Sequence, residues 1–177
     1  MQTIQSIVQS NIPLETYDYK YQKELTENLD KLDGDFSQNI LNEIVLWKVN
    51  RYALIKKDIF QLLNQLSKED TEIDIDFTRI ILDKLLNTNG IQLAMASTIL
   101  RFKNPNIYQI IDQRVYRFIY GEIMKEPYSI VTKIDFYIGY LEKLRDICDE
   151  YNLDFSLSDR QLYALDKKYN PDFKIKY

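Results

Sequence analysis

Residues 89–121, NGIQLAMASTILRFKNPNIYQIIDQRVYRFIYG, read as turn, helix, connector, aspartate, helix. Gly90 stands where a hairpin between two helices needs a residue free to take positive φ, and an apolar helix rich in small residues follows over 93–102. Asn104-Pro105-Asn106 ends it, because the residue before a proline is pushed out of the helical region. The apolar run Ile107, Tyr108, Ile110, Ile111 then carries the chain inward and delivers Asp112, directly ahead of Arg114, Tyr116 and Arg117. A carboxylate placed after a buried segment and beside two arginines is either a helix cap or a working acid.

Outward from this stretch the chain keeps a helical period. Tyr21, Leu25, Leu29 and Leu32 share one face of a helix over 17–32, closed by Asp33-Gly34-Asp35. Ser37 is placed to cap the next helix, which runs through Ile40, Leu41, Ile44, Val45 and Trp47 toward Tyr52. Further helices are expected over 55–66 and 77–86, with an acidic loop at 68–74 and the hairpin at 87–90. After Asp112 a helix reaches Tyr120 and Gly121, a long one covers 132–151, and a last one capped by Ser156 or Ser158 runs through Leu162, Leu165 and Tyr169. The best alternating patterns, 73–77 and 173–177, are too short to outweigh this. The expectation is an all-α chain, one helical domain over 1–177 with about seven to nine helices.

Composition narrows the chemistry. Four glycines and four prolines in 177 residues favour long helices over many turns. No apolar run is long enough to span a membrane, residues 1–10 carry no basic leader or apolar signal core, and the single Cys148 has no internal disulfide partner, so a reducing cytoplasm is the expected setting. The absence of histidine removes the commonest general base and metal ligand, and one cysteine leaves no set for zinc or a four-cysteine cluster. No metal and no cofactor are expected; chemistry must rest on carboxylates, Lys, Tyr, Ser or Thr.

The net charge of -4 argues against non-specific coating of nucleic acid. Its distribution says something different: between Arg79 and Lys125 seven basic residues (Arg79, Lys84, Arg101, Lys103, Arg114, Arg117, Lys125) face three acidic ones. Such a segment suits docking onto phosphates, and a solvated helix face gives the same count.

The stretch 89–121 resembles the helix-hairpin-helix superfamily of base-excision DNA glycosylases, the endonuclease III-like enzymes. In those proteins a Gly-Val-Gly hairpin opens a helix and, after a fixed interval, an aspartate follows in the pattern Asp-x-basic-apolar-x-Arg. Gly90-Ile91-Gln92 stands for the hairpin, and Asp112-Gln113-Arg114-Val115-Tyr116-Arg117 matches the second pattern at the family spacing. The resemblance implies a DNA partner, a phosphate held by amides after Gly90, and Asp112 as the acid that stabilises an oxocarbenium-like state or orients water. It implies DNA contacts from Gly90, Gln92, Arg101, Lys103, Arg114 and Arg117. Gln92 replaces the second hairpin glycine, and Ala94 occupies the position where bifunctional members carry a Schiff-base lysine. A monofunctional enzyme, releasing a base without cutting the strand, is what this departure implies.

The remaining candidates have plainer readings beside the functional ones. Trp47, Lys48 and Arg51 set an aromatic beside two cations, which suits a flipped base, and which is more often core beside a solvated edge. Lys48 is the first lysine to examine for lyase chemistry. Tyr108 and Tyr116 flank Asp112 as candidate pocket walls, with core packing as the plain alternative. Arg160, Asp166, Lys167 and Lys168 read as surface or intrahelical pairs, unless Arg160 or Asp166 turns inward to close a pocket. Two other classes fit the same residues: a non-catalytic nucleic-acid- or protein-binding module that kept the fold, and a helical regulatory protein in which Asp112 only caps.

Overall fold

The structure is a computed structural model of the chain and describes residues 23–32, 36–49, 53 and 55–172. The secondary structure of these residues is eight α-helices and one 3₁₀ turn, with no strand among them, so the all-helical expectation holds. The chain divides into two compact units, Met1–Tyr52 and Ala53–Tyr177. No described helix is long and apolar enough to cross a membrane.

The first unit contains α1 (Lys23–Asp30) and α2 (Gln38–Lys48). Ser37 caps α2 as its sequence predicts, its hydroxyl accepting from the Ile40 amide at 3.3 Å. Trp47 Nε1 donates to Thr26 Oγ1 at 2.8 Å, which joins the two helices. The turn expected at Asp33-Gly34-Asp35, the first part of the helix expected over 17–32, Arg51 and Tyr52 lie outside the described residues.

The second unit holds α3 (Lys57–Leu63), α4 (Ile75–Leu86), α5 (Leu93–Lys103), α6 (Gln113–Tyr120), α7 (Ile130–Tyr151), the 3₁₀ turn Phe155–Leu157 and α8 (Ser158–Tyr169). α6 packs along α8, and α4 packs on α7 and on both its sequence neighbours. Their shared core includes Ile81, Leu82, Leu85, Leu93, Leu100 and Leu144, each fully buried. Burial at about 1.5–3 kcal/mol for each such side chain is what holds the helices together.

Several helix starts differ from the sequence reading: α3 begins at Lys57 rather than 55 and ends at Leu63, and three others turn on capping. Asp74 accepts from the Phe77 amide at 2.9 Å, so α4 begins two residues earlier than expected and takes in the last three residues of the alternating run 73–77. Ser129 caps α7 through the Thr132 amide at 3.1 Å, placing that start two residues earlier too. Neither Ser156 nor Ser158 caps α8. Asp154 caps the 3₁₀ turn through the Ser156 amide at 2.9 Å, and α8 follows from Leu157 with no side-chain cap. At the other ends, Gly121 (φ 72) and Asn152 (φ 52) close α6 and α7 in the left-handed region.

The connector between α5 and α6 has no helix or ladder to pair its backbone, although Ile107, Tyr108, Gln109 and Ile111 are buried. Buried backbone groups must be paired, and here side chains do it. Tyr137 Oη donates to the Gln109 carbonyl at 2.8 Å and Tyr140 Oη to that of Ile110 at 2.9 Å, both from α7. The Ile111 amide donates to Ser97 Oγ at 3.2 Å. Asn104, fully buried, donates through Nδ2 to the carbonyls of Ser67 and Asp70 at 2.6 and 2.9 Å. Burial pushes the Tyr137 and Tyr140 hydroxyls well above their ordinary range, which keeps them protonated as donors. The connector is thereby fixed up to the residue before Asp112.

Candidate active site around Asp112

Asp112 is the N-cap of α6, with extended backbone (φ -125, ψ 145). Its Oδ1 accepts from the Arg114 amide at 2.7 Å and the Val115 amide at 3.4 Å. Oδ2 accepts no hydrogen bond from the described residues, and it is not buried. One oxygen therefore holds the helix while the other is left uncommitted among the described residues.

The residue before Asp112 is tied to α5, the helix that follows the hairpin. Ser97 Oγ, which accepts from Ile111, itself donates to the Ala94 carbonyl at 2.9 Å, so the residue preceding Asp112 is fastened to the first turns of α5. In the hairpin, Asn87 closes α4 and Gly90 takes φ 85, a conformation an L side chain resists, which lets the buried Ile91 donate back to the Thr88 carbonyl at 3.1 Å. Gln92 is the N-cap of α5 but makes no capping bond. Its Oε1 instead accepts from Lys133 Nζ of α7 at 3.4 Å, and Lys133 pairs with Glu126 at 2.6 Å. Lys133 was not singled out by the sequence, since nothing local ties it to residue 92.

The expected pocket tyrosines are packed inside. Tyr108 is 1% exposed and its hydroxyl shares a 2.7 Å hydrogen bond with Thr78. Tyr116 is nearly buried, stacked on Tyr120 with ring centroids 4.2 Å apart and tilted against Phe136. Burial raises both tyrosines above their ordinary values. Trp47 and Lys48 belong to the first unit and Asp112 to the second.

The basic residues expected at DNA are, for the most part, turned to acids. Asp166 of α8 is completely buried; its Oδ2 takes Arg114 at 3.1 Å and Arg117 at 2.6 Å, and its Oδ1 takes Arg117 Nε at 3.1 Å and Asn170 at 2.9 Å. Burial alone pushes the Asp166 carboxyl upward, but the hydrogen bonds from Arg117, Asn170 and Arg114 outweigh it and hold it below the ordinary carboxylate value. Arg101, only 6% exposed, lies 3.5 Å from Asp159 Oδ2 and donates to the Ser156 carbonyl at 3.0 Å. Arg79 pairs with Asp135 at 2.6 Å and Lys84 with Asp58 at 3.8 Å. These four aspartates come from outside residues 79–125 and offset the whole basic excess of that segment. Lys103 stays at the surface, 3.4 Å from Asn64 Oδ1.

Asp166 thus turned inward, the second of the possibilities its sequence position leaves open. The signal was present in outline: Asp159, Leu162 and Asp166 lie on one face of α8, and an acid on an apolar face calls for a buried partner. Compared with known proteins, the chain matches no family model, no curated protein and no solved structure.

Proposed function

We propose that the chain is a DNA-binding domain of the helix-hairpin-helix glycosylase type, acting as a monofunctional enzyme with Asp112 as its acid residue. The observation that carries this reading is the divided carboxylate: Oδ1 is fixed by two amides while Oδ2 stays open, at the end of a rigid connector beside the hairpin helix. A preorganised anion of that kind stabilises positive charge developing on a sugar and can orient the attacking water. Gly90 at positive φ, followed by an α5 start that no side chain caps, supports a phosphate contact at the hairpin amides. Lys103 is the cation of the expected DNA set left without an acidic partner among the described residues and able to assist, whereas Arg101, Arg114 and Arg117 support the frame.

A second reading, a non-catalytic binding module of the same architecture, is favoured by the pairing of the arginines with Asp159 and Asp166. Duplex binding across a salt series, with borohydride trapping on duplexes of damaged bases, separates the readings. The enzyme reading expects salt-sensitive binding weakened by Lys103→Glu, base release leaving an intact abasic strand, and no trapped adduct, since Ala94 replaces the lysine. Salt-insensitive binding, or none, would sink the nucleic-acid reading; salt-sensitive binding without base release would leave the module. Arg101 is the wrong residue to reverse, because its charge is buried and the variant would unfold.

A further inference from the structure

Two grooves meet at Ile107 on the second unit. One, of about 220 Å³, has a floor of Ile73, Ile75, Ile107, Ile138 and Leu141 and a rim carrying Glu142, Asp146 and Asp149 of α7. The other, of about 300 Å³, runs past Leu66, Phe77 and Tyr108 beneath Asp70, Glu72 and Asp74. All six carboxylates are exposed, and none of them makes an ion pair among the described residues. The one cation on either wall, Arg145, is committed elsewhere: it donates to the Asn106 carbonyl at 3.0 Å and lies 4.0 Å over the Phe155 ring.

The contrast with the rest of the unit is what points to an occupant. Every arginine between residues 79 and 117 has been given an aspartate, yet here six acids share the walls with a single arginine that pairs with none of them, and Glu142, Asp146 and Asp149 repeat at helical spacing where like charges destabilise. These carboxylates do not converge: no group of three that could hold a metal ion occurs among the described residues. A compact cation is therefore a poor fit, and a phosphate backbone is repelled. An apolar floor under an acidic rim, continued past Ile107 into a more polar second compartment with its own acidic rim, matches a chain with apolar anchors spaced between positive charges.

We propose that this double groove is a docking surface for a basic amphipathic segment of a partner protein, lysines or arginines meeting the rims and aliphatic side chains entering on either side of Ile107. The surface is independent of Asp112. Charge complementarity gives the encounter and its salt dependence, and the apolar floor gives selectivity over merely basic chains.

The test uses the whole chain and a labelled peptide alternating lysine with leucine, against a matched peptide alternating lysine with serine, read by fluorescence anisotropy. The lysine–leucine peptide should bind at least about tenfold more tightly, and Glu142→Gln with Asp146→Asn and Asp149→Asn, or separately Asp70→Asn with Glu72→Gln, should weaken it by about tenfold or more. The triple variant should melt no lower than the parent, because only exposed like charges are removed. Equal binding of the two peptides would reduce the surface to unspecific charge and overturn the proposal. So would unchanged affinity in both variants.

Discussion

Two aspartates attached to α6 show how surroundings decide what one side chain does. Asp166 is fully buried, and both its oxygens are taken by Arg114, Arg117 and Asn170, so it fastens α6 to α8. Asp112, at the N-terminus of the same helix, spends one oxygen on two amides and leaves the other without a hydrogen bond among the described residues. The first has no capacity left for a ligand. The second has a fixed position and a free lone-pair face, which is what a catalytic anion requires. A buried charge is a commitment to structure, and a half-open one is available for chemistry.

The comparison is easiest to break at Asp166. Asp166→Ala leaves two guanidiniums facing each other in a largely buried seam, and the cost should be about 3–5 kcal/mol in urea unfolding. A loss under about 1 kcal/mol would mean the seam is wet and weak, as exposed ion pairs are.

Acid should act on the same carboxylate. Its folded value lies below the unfolded one, near about 3.9, so its contribution is fully present above the unfolded value and is lost as pH falls through the depressed folded value. Stability of the parent should therefore fall off more steeply below about pH 4 than that of an Asp166→Asn variant. Parallel acid limbs would remove Asp166 from that role.

A smaller effect is expected at the connector that places Asp112. Tyr137→Phe or Tyr140→Phe leaves the buried carbonyl of Gln109 or Ile110 without its donor, a cost of about 1–3 kcal/mol each. Because the connector holds Asp112, the enzyme reading expects base release to fall in these variants beyond the loss of folded protein. Release that tracks the folded fraction alone would show that the connector does not position the site.

How much of this was legible in the sequence follows from what is local. The Ser37 cap, the hairpin glycine, the Gly121 terminus and the capping role of Asp112 depend on a few neighbouring residues, and each is found where its residues place it. Charge pairing is not local. Arg114 and Arg117 meet a carboxylate 52 and 49 residues further on, so a count over residues 79–125 sees a basic segment where the folded unit has arginines paired with distant acids. The connector's partners, Tyr137 and Tyr140, looked like two of fourteen scattered tyrosines, because a hydroxyl's target is set by how helices cross. The missed starts at Asp74 and Ser129 are a lesser case: a cap three residues ahead of the expected start was available and passed over.

The smallest change to the fold carries the most for function. Asp112→Asn keeps shape and capping capacity, since asparagine caps about as well as aspartate, and removes only the anion. Melting temperature, duplex affinity and base release from a panel of damaged duplexes are to be measured on this one variant. The account predicts near-unchanged melting, affinity that holds or rises, and base release reduced on the order of a hundredfold or more, equivalent to roughly 3 kcal/mol. Base release that persists in Asp112→Asn at the parent's rate would contradict it.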